Sequence, residues 1–150
     1  MFDPEIPDMG RLIGSCGHLA KQYMVICLRR HGYNVTPPQT QALQLLSCAG
    51  RELSQRELEQ AMGLKAPTVN GIVIRLEEKG LITRRPSPAD GRCRLLRLTE
   101  EGEQMVESFH SAVEEMGQIL LSGLTGEEQA QFRALLLRII ANLENEVNRA

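Results

Sequence analysis

Residues Leu64 to Gly102 constrain this chain more than any other part of it. A helix-forming run with a small, polar outer face stops at Gly80. Leu81 to Arg85 and Arg94 to Leu98 then read as two short strands, joined by a loop over Pro86 to Cys93 that is bracketed by arginines. The second strand runs into Thr99, a helix-capping residue, with Glu100 and Glu101 suited to the positive first turn of the helix that follows. Few folds accommodate this order of helix, strand, cationic loop, strand and capped helix, because the hairpin has to bury one face against the helices before it.

Upstream, Ser54-Gln55-Arg56-Glu57 is a capping box that opens a short helix through Met62. Gly63 is a turn residue, and a new helix begins at Lys65 or Ala66 with Pro67 in its first turn, where a missing N–H costs nothing. Two short helices joined by a glycine turn form a helix-turn-helix, and the hairpin after it makes the unit winged. Thr36-Pro37-Pro38-Gln39 is another capping box, starting a helix that ends before Gly50, and Arg51 to Leu53 form a short extended piece. At the N-terminus, Leu12, Ile13, Cys16, Leu19, Ala20, Tyr23, Cys27 and Leu28 recur at helical spacing within residues 8–31. The helix from Thr99 stops at Gly123, Thr125 caps the last one, and Phe132, Leu135, Leu136, Ile139, Ile140, Leu143 and Val147 form its apolar stripe. The pattern predicts one mainly helical domain over residues 1–150: a winged helix-turn-helix core at 36–98 with a small β-hairpin wing, flanked by long helices at 8–32 and 99–149.

The formal net charge of −2 hides an asymmetry. Residues 1–64 balance 6 basic against 6 acidic side chains, residues 65–98 carry 8 against 3, and residues 99–150 carry 3 against 10. A compact basic block between neutral and acidic ends suits local phosphate binding. Within that block, the helix after Gly63 turns Val69, Ile72, Val73 and Leu76 toward a core. Its other side carries Pro67, Gly71 and Ile74, flanked by Thr68, Asn70 and Arg75. A major-groove helix needs small residues for close approach, amides or hydroxyls for base edges and a cation for phosphate. Gly71 costs roughly 1 kcal/mol of helix propensity, so it needs a reason. Close approach to DNA is one, and a tight helix contact inside the protein is the other. The wing adds Arg84, Arg85, Arg92 and Arg94, with Asp90 as a partner that orients the cations, since a carboxylate repels phosphate. Ser54, Gln55 and Lys65, at the starts of the two short helices, complete the candidate DNA-binding set.

The run Arg75-Leu76-Glu77-Glu78-Lys79-Gly80-Leu81-Ile82-Thr83-Arg84, the wing's Asp90-Gly91-Arg92, Leu98-Thr99-Glu100-Glu101-Gly102 and Leu53-Ser54-Gln55-Arg56-Glu57-Leu58 resemble, in order, the motifs of the multiple-antibiotic-resistance regulator (MarR) family. The resemblance implies a homodimer whose first and last helices interlock with those of its partner, and a repressor, less often an activator, of a palindromic operator. It implies that Arg92 enters the minor groove, that Asp90 holds the wing, and that Arg75 and Arg84 lie near the DNA backbone or brace the wing. It also implies a small aromatic or phenolic effector bound between the dimer helices and the winged domain. The apolar positions Leu12, Ile13, Cys16, Leu135, Leu136, Ile139, Ile140 and Leu143 are the candidate dimer surface, since a core of about 63 residues is too small to cover both stripes.

An effector would have polar partners on the first helix. His18, Gln22 and Arg29 could line its pocket, and a solvated helix face accounts for them as well. Cys16, Cys27, Cys48 and Cys93 form no CxxC pair, which fits a reduced, cytoplasmic compartment. A thiol-based redox sensor of the same fold is the alternative; Cys16 and Cys27 lie on the apolar stripe as core cysteines do, and Cys93 in the wing is expected to be the most exposed. Cys27-x-x-x-His31, Cys16-x-His18 and His110 give no recognised set of metal ligands, and no cofactor motif is present. Without GxSxG, P-loop or HExxH motifs an enzyme is not expected. A winged module that binds protein instead of DNA would not need four arginines at its wing. No run of about 18 apolar residues exists to span a membrane, and the acidic, proline-broken start Met1 to Glu5 is unlike a signal peptide.

Overall fold

The computed structural model describes residues 8–149; the Met1 to Glu5 start lies outside them. The described residues form α1 (Met9–Arg30), α2 (Pro37–Ala49), β1 (Leu53–Ser54), α3 (Gln55–Met62), α4 (Ala66–Glu78), β2 (Ile82–Pro86), β3 (Arg94–Leu98), α5 (Glu100–Leu120) and α6 (Gly126–Val147). They fall into two compact units, divided between Glu114 and Glu115 within α5.

The core of the first unit gathers Leu43 from α2, Leu58 from α3, Val69, Val73 and Leu76 from α4, Ile82 and Leu96 from the sheet and Met105 from α5, all fully buried. Both expected capping boxes form: Thr36 Oγ1 accepts from Gln39 N–H, and Ser54 Oγ accepts from Glu57 N–H. Each satisfies N–H groups that a helix start leaves without partners. Gly63, at φ 64°, makes the left-handed turn between α3 and α4 that a side chain resists.

The sheet has three strands in the order β1-β3-β2, all antiparallel. The expected hairpin therefore gains a strand, with Leu53 opposite Leu96. The expected extended piece over Arg51 to Leu53 is the lead into this strand, but two residues are too few to show an alternating pattern that would have placed it in the sheet. The first hairpin strand starts and ends one residue later than expected, with Pro86 opposite Arg94, and the second has the expected bounds.

Thr99 and Gly102 join the wing to α5. Thr99 Oγ1 donates to Gly80 C=O at 2.6 Å and accepts from Gly102 N–H at 3.0 Å, while Thr99 N–H donates to Leu81 C=O at 3.1 Å. A Cβ on Gly102 would lie 2.1 Å from the Leu81 carbonyl oxygen, so only glycine lets the helix start this close to the strand.

Within the first unit, α1 buries only Cys27 and Leu28. Leu12, Ile13, Cys16 and Leu19 of its apolar stripe are exposed, and Ala20 and Tyr23 are half-buried. In the second unit the Thr125 capping box starts α6 as expected. No residue of α6 is buried: Phe132, Leu135, Ile140 and Leu143 are exposed and Leu136 and Ile139 half-buried. Among the described residues no helix is long and apolar enough to cross a membrane.

Candidate nucleic-acid interface

The burial of Val69, Val73 and Leu76 fixes which side of α4 faces away from the core. Pro67, Thr68, Asn70, Gly71 and Arg75 are exposed on the remaining surface, and Ile74 is half-buried. A Cβ placed on Gly71 would meet nothing within 4 Å. The intramolecular helix contact that could have explained this glycine is absent from the described residues. Lys65 precedes the helix as an exposed N-cap without a side-chain capping bond. Ser54 and Gln55 are engaged at the start of α3: Ser54 in the capping box, and Gln55 Nε2 in a 3.3 Å bond to Glu59.

The four wing arginines divide. Antiparallel register and alternation put Arg84 and Arg94 on the sheet face shared with Ile82 and Leu96, and Arg85 on the other face with Arg97. Arg84 pairs with Glu77 of α4 at 2.7 Å. Arg85 makes a two-pronged pair with Glu52, Nε to Oε1 at 2.7 Å and Nη2 to Oε2 at 2.5 Å. This planar fork holds the Glu52 carboxyl below its ordinary range, with Arg97 adding to the effect. Two of the four arginines thus brace the wing, Arg84 against α4 and Arg85 against the segment before β1. Arg92 at the tip and Arg94 are exposed and make no ion pair among the described residues. Arg75 pairs with Glu78 at 3.0 Å, but both side chains are exposed, and a surface pair of this kind is readily exchanged for a phosphate.

Asp90 orients the tip through the backbone instead of a cation. Its carboxylate accepts from Arg92 N–H at 3.0 Å, its carbonyl accepts from Cys93 N–H at 2.9 Å, and Ser87 N–H donates to Cys93 C=O at 2.8 Å. These bonds also draw Cys93 into the loop, where it is half-buried. Cys16 and Cys48 are the exposed cysteines, contrary to the expectation from position alone. Cys16 is exposed because nothing in its own unit covers that face of α1; Cys27 is buried as expected.

Two basic residues escaped the sequence reading. Arg56 is exposed in the first turn of α3 and makes no ion pair among the described residues. Its place in a capping-box pattern drew attention to the cap and away from its charge. Arg97 belongs to the outer sheet face, which register alone decides. With Glu52 and Arg85 it borders a half-open groove of about 700 Å³ whose other wall is α5, at Glu103, Glu107 and His110. The expected effector residues lie elsewhere. His18, Gln22 and Arg29 are all exposed on α1, and His18 borders a depression beside Arg11, Ser15 and Leu19. Among the described residues no three His, Cys, Asp or Glu side chains converge as metal ligands.

A helix-turn-helix with an open, uncharged outer face, followed by a cationic hairpin, defines a winged-helix DNA-binding protein. A family model described as the MarR family matches residues 33–92. The chain is 32% identical over 97 residues to the uncharacterised HTH-type transcriptional regulator YdgJ of Bacillus subtilis (strain 168), an alignment covering 65% of this chain and 57% of that protein. It is 31% identical to a single-residue variant of S. aureus MepR, covering 91% of this chain and 98% of that one with a TM-score of 0.79. The PcaV transcriptional regulator of Streptomyces coelicolor is 30% identical, with 92% and 98% covered and a TM-score of 0.76. The chain belongs to the MarR family of transcriptional regulators.

Proposed function

We propose that this chain is a homodimeric repressor that binds an inverted-repeat operator in double-stranded DNA and is released by a small organic effector. One observation carries the DNA reading: the outer face of α4 is open, uncharged at its centre and without any packing reason for Gly71. Thr68 and Asn70 can both donate and accept, which suits base edges, while Arg75, Arg92, Arg94 and Lys65 suit the backbone and the minor groove. A second structure of MepR, 31% identical with a TM-score of 0.69, is of a variant bound to an oligodeoxyribonucleotide, which supports the same use of this fold. The uncovered stripes of α1 and α6 support the dimer. MepR has also been captured with ethidium, and the groove between Arg97 and His110 is the seat assigned here to an effector.

Selection of binding sites from randomised duplexes tests this directly. It should return an inverted repeat with half-sites about one helical turn apart. Asn70→Ala should relax the preferred sequence, whereas Arg75→Ala should weaken all DNA alike and flatten the salt slope by about one unit. Recovery of no repeat, or a sequence preference unchanged by Asn70→Ala, would refute the assignment. A winged module that docks on protein would show little salt-sensitive DNA binding at all.

A further inference from the structure

Lys79 ends α4 as its C-cap residue, where a cation suits the negative end of the helix. The residue is exposed, and its ammonium turns back along the surface to the link before α2. Nζ donates to the Asn34 carbonyl and, at 2.8 Å, to Gln39 Oε1. Gln39 is buried to 7% exposure in the first turn of α2, and the same Oε1 accepts from Thr36 N–H at 3.1 Å. Lys79 is therefore built into the cap of another helix. A cation is out of place at the positive end of α2, and it is held there because two oxygens converge on it.

Those oxygens flank the short link between α1 and α2, which is gripped from other sides as well. Tyr33 N–H donates to Leu28 C=O at 2.9 Å, closing the end of α1. The Tyr33 ring packs against the core, and its hydroxyl lies beside Glu101 and Ser108 of α5. Four helices thus meet at residues 33–36, and Lys79 is the tie that brings in α4.

We propose that Lys79 is a positioning residue for DNA recognition: it fixes the C-terminal end of α4 to the α1–α2 link, so that the pitch of the recognition helix follows α1. The inference rests on the proposed role of α4 as the groove-reading helix. Leverage makes the tie consequential. At 13 residues, α4 is about 20 Å long, so a tilt of about 5° at Lys79 moves Pro67 and Thr68 by about 1.5 Å, more than a hydrogen bond tolerates.

Lys79→Met keeps most of the stem and removes the donors, and Lys79→Arg restores them. In the full-length protein Lys79→Met should lower affinity for the selected duplex on the order of three- to thirtyfold. Its salt slope should stay parallel to the parent's, and Lys79→Arg should recover part of the loss. In the free protein, hydrogen exchange should quicken in the last turn of α4 and at Thr40 and its neighbours in α2. Parent-like affinity, or exchange unchanged by Lys79→Met, overturns the inference. So does a loss that comes with a salt slope flatter by about one unit, which would mark a direct phosphate contact. Lys79→Gln serves as the second variant if Lys79→Met does not fold. If the parent itself binds no duplex, the reading of α4 fails and takes this inference with it; a failure confined to the Lys79 variants leaves that reading standing.

Discussion

Two glycines inside helices do opposite work. The Cβ position of Gly71 opens on empty space, and that of Gly102 collides with a backbone oxygen. Gly71→Ala should raise thermal stability, by up to about 1 kcal/mol, because alanine is the better helix former. The same change should weaken operator binding by crowding the groove. A variant that is both more stable and equally tight on DNA would leave Gly71 without a functional reason. Gly102→Ala should cost about 1–3 kcal/mol or more in denaturant unfolding, because the strand or the helix must shift to admit the methyl group. Among the arginines, Arg92→Ala should weaken operator binding by about 1–3 kcal/mol per contact, whereas Arg85→Ala should leave the salt slope unaltered because Glu52 already neutralises it. Equal flattening by both variants, in shift assays at graded salt, would mean that Arg85 also reaches a phosphate.

The start of α3 is the element most exposed to acid. Glu57 accepts from Arg51 at 2.8 Å and from Ser54 N–H at 2.7 Å, and these bonds hold its carboxyl down to about 2, from 4.5. A depressed carboxyl stabilises the folded chain fully above its unfolded value and loses that contribution as pH falls toward the folded one. Stability should therefore decline between about pH 4.5 and 2. Glu57→Gln should flatten that part of the profile while keeping a side-chain acceptor for the cap. An identical acid profile in Glu57→Gln would show that other carboxylates, such as Glu52, govern the transition. At the other end of the wing, the Asp90 bonds to Arg92 and Cys93 make the tip a defined turn. The backbone that carries the tip cation is thus fixed, while the Arg92 side chain stays exposed.

At the level of the whole molecule the unburied helices dominate. Leu12, Leu19, Leu135 and Leu143 are about half exposed or more, and each buried aliphatic side chain is worth about 1.5–3 kcal/mol. The proposed dimer would cover these stripes. Light scattering at low micromolar concentration should give about twice the 16.7 kDa chain mass. Leu143→Asp and Leu135→Asp should reduce that mass and abolish operator binding. A stable, folded monomer of the parent that still protects two half-sites would defeat the dimer reading.

Local chemistry settled the elements, because caps, glycine turns and apolar spacing act within a few residues. The boundaries at Thr36, Ser54, Gly63, Gly80, Thr99 and Thr125 were all legible in advance for that reason, as was the order that leads to a winged helix. The face of α4 that turns outward followed from period alone. Partner choice was not legible. That β1 pairs with β3, that Arg85 and Arg97 share the outer sheet face, that Arg84 closes on Glu77 and Arg85 on Glu52, and that Lys79 donates to the capping-box residue Gln39 forty residues away are outcomes of register and packing. A charge in a sequence states what a residue can bind, and only tertiary structure decides which of its possible partners is near, since pairing energies fall off within a few ångströms.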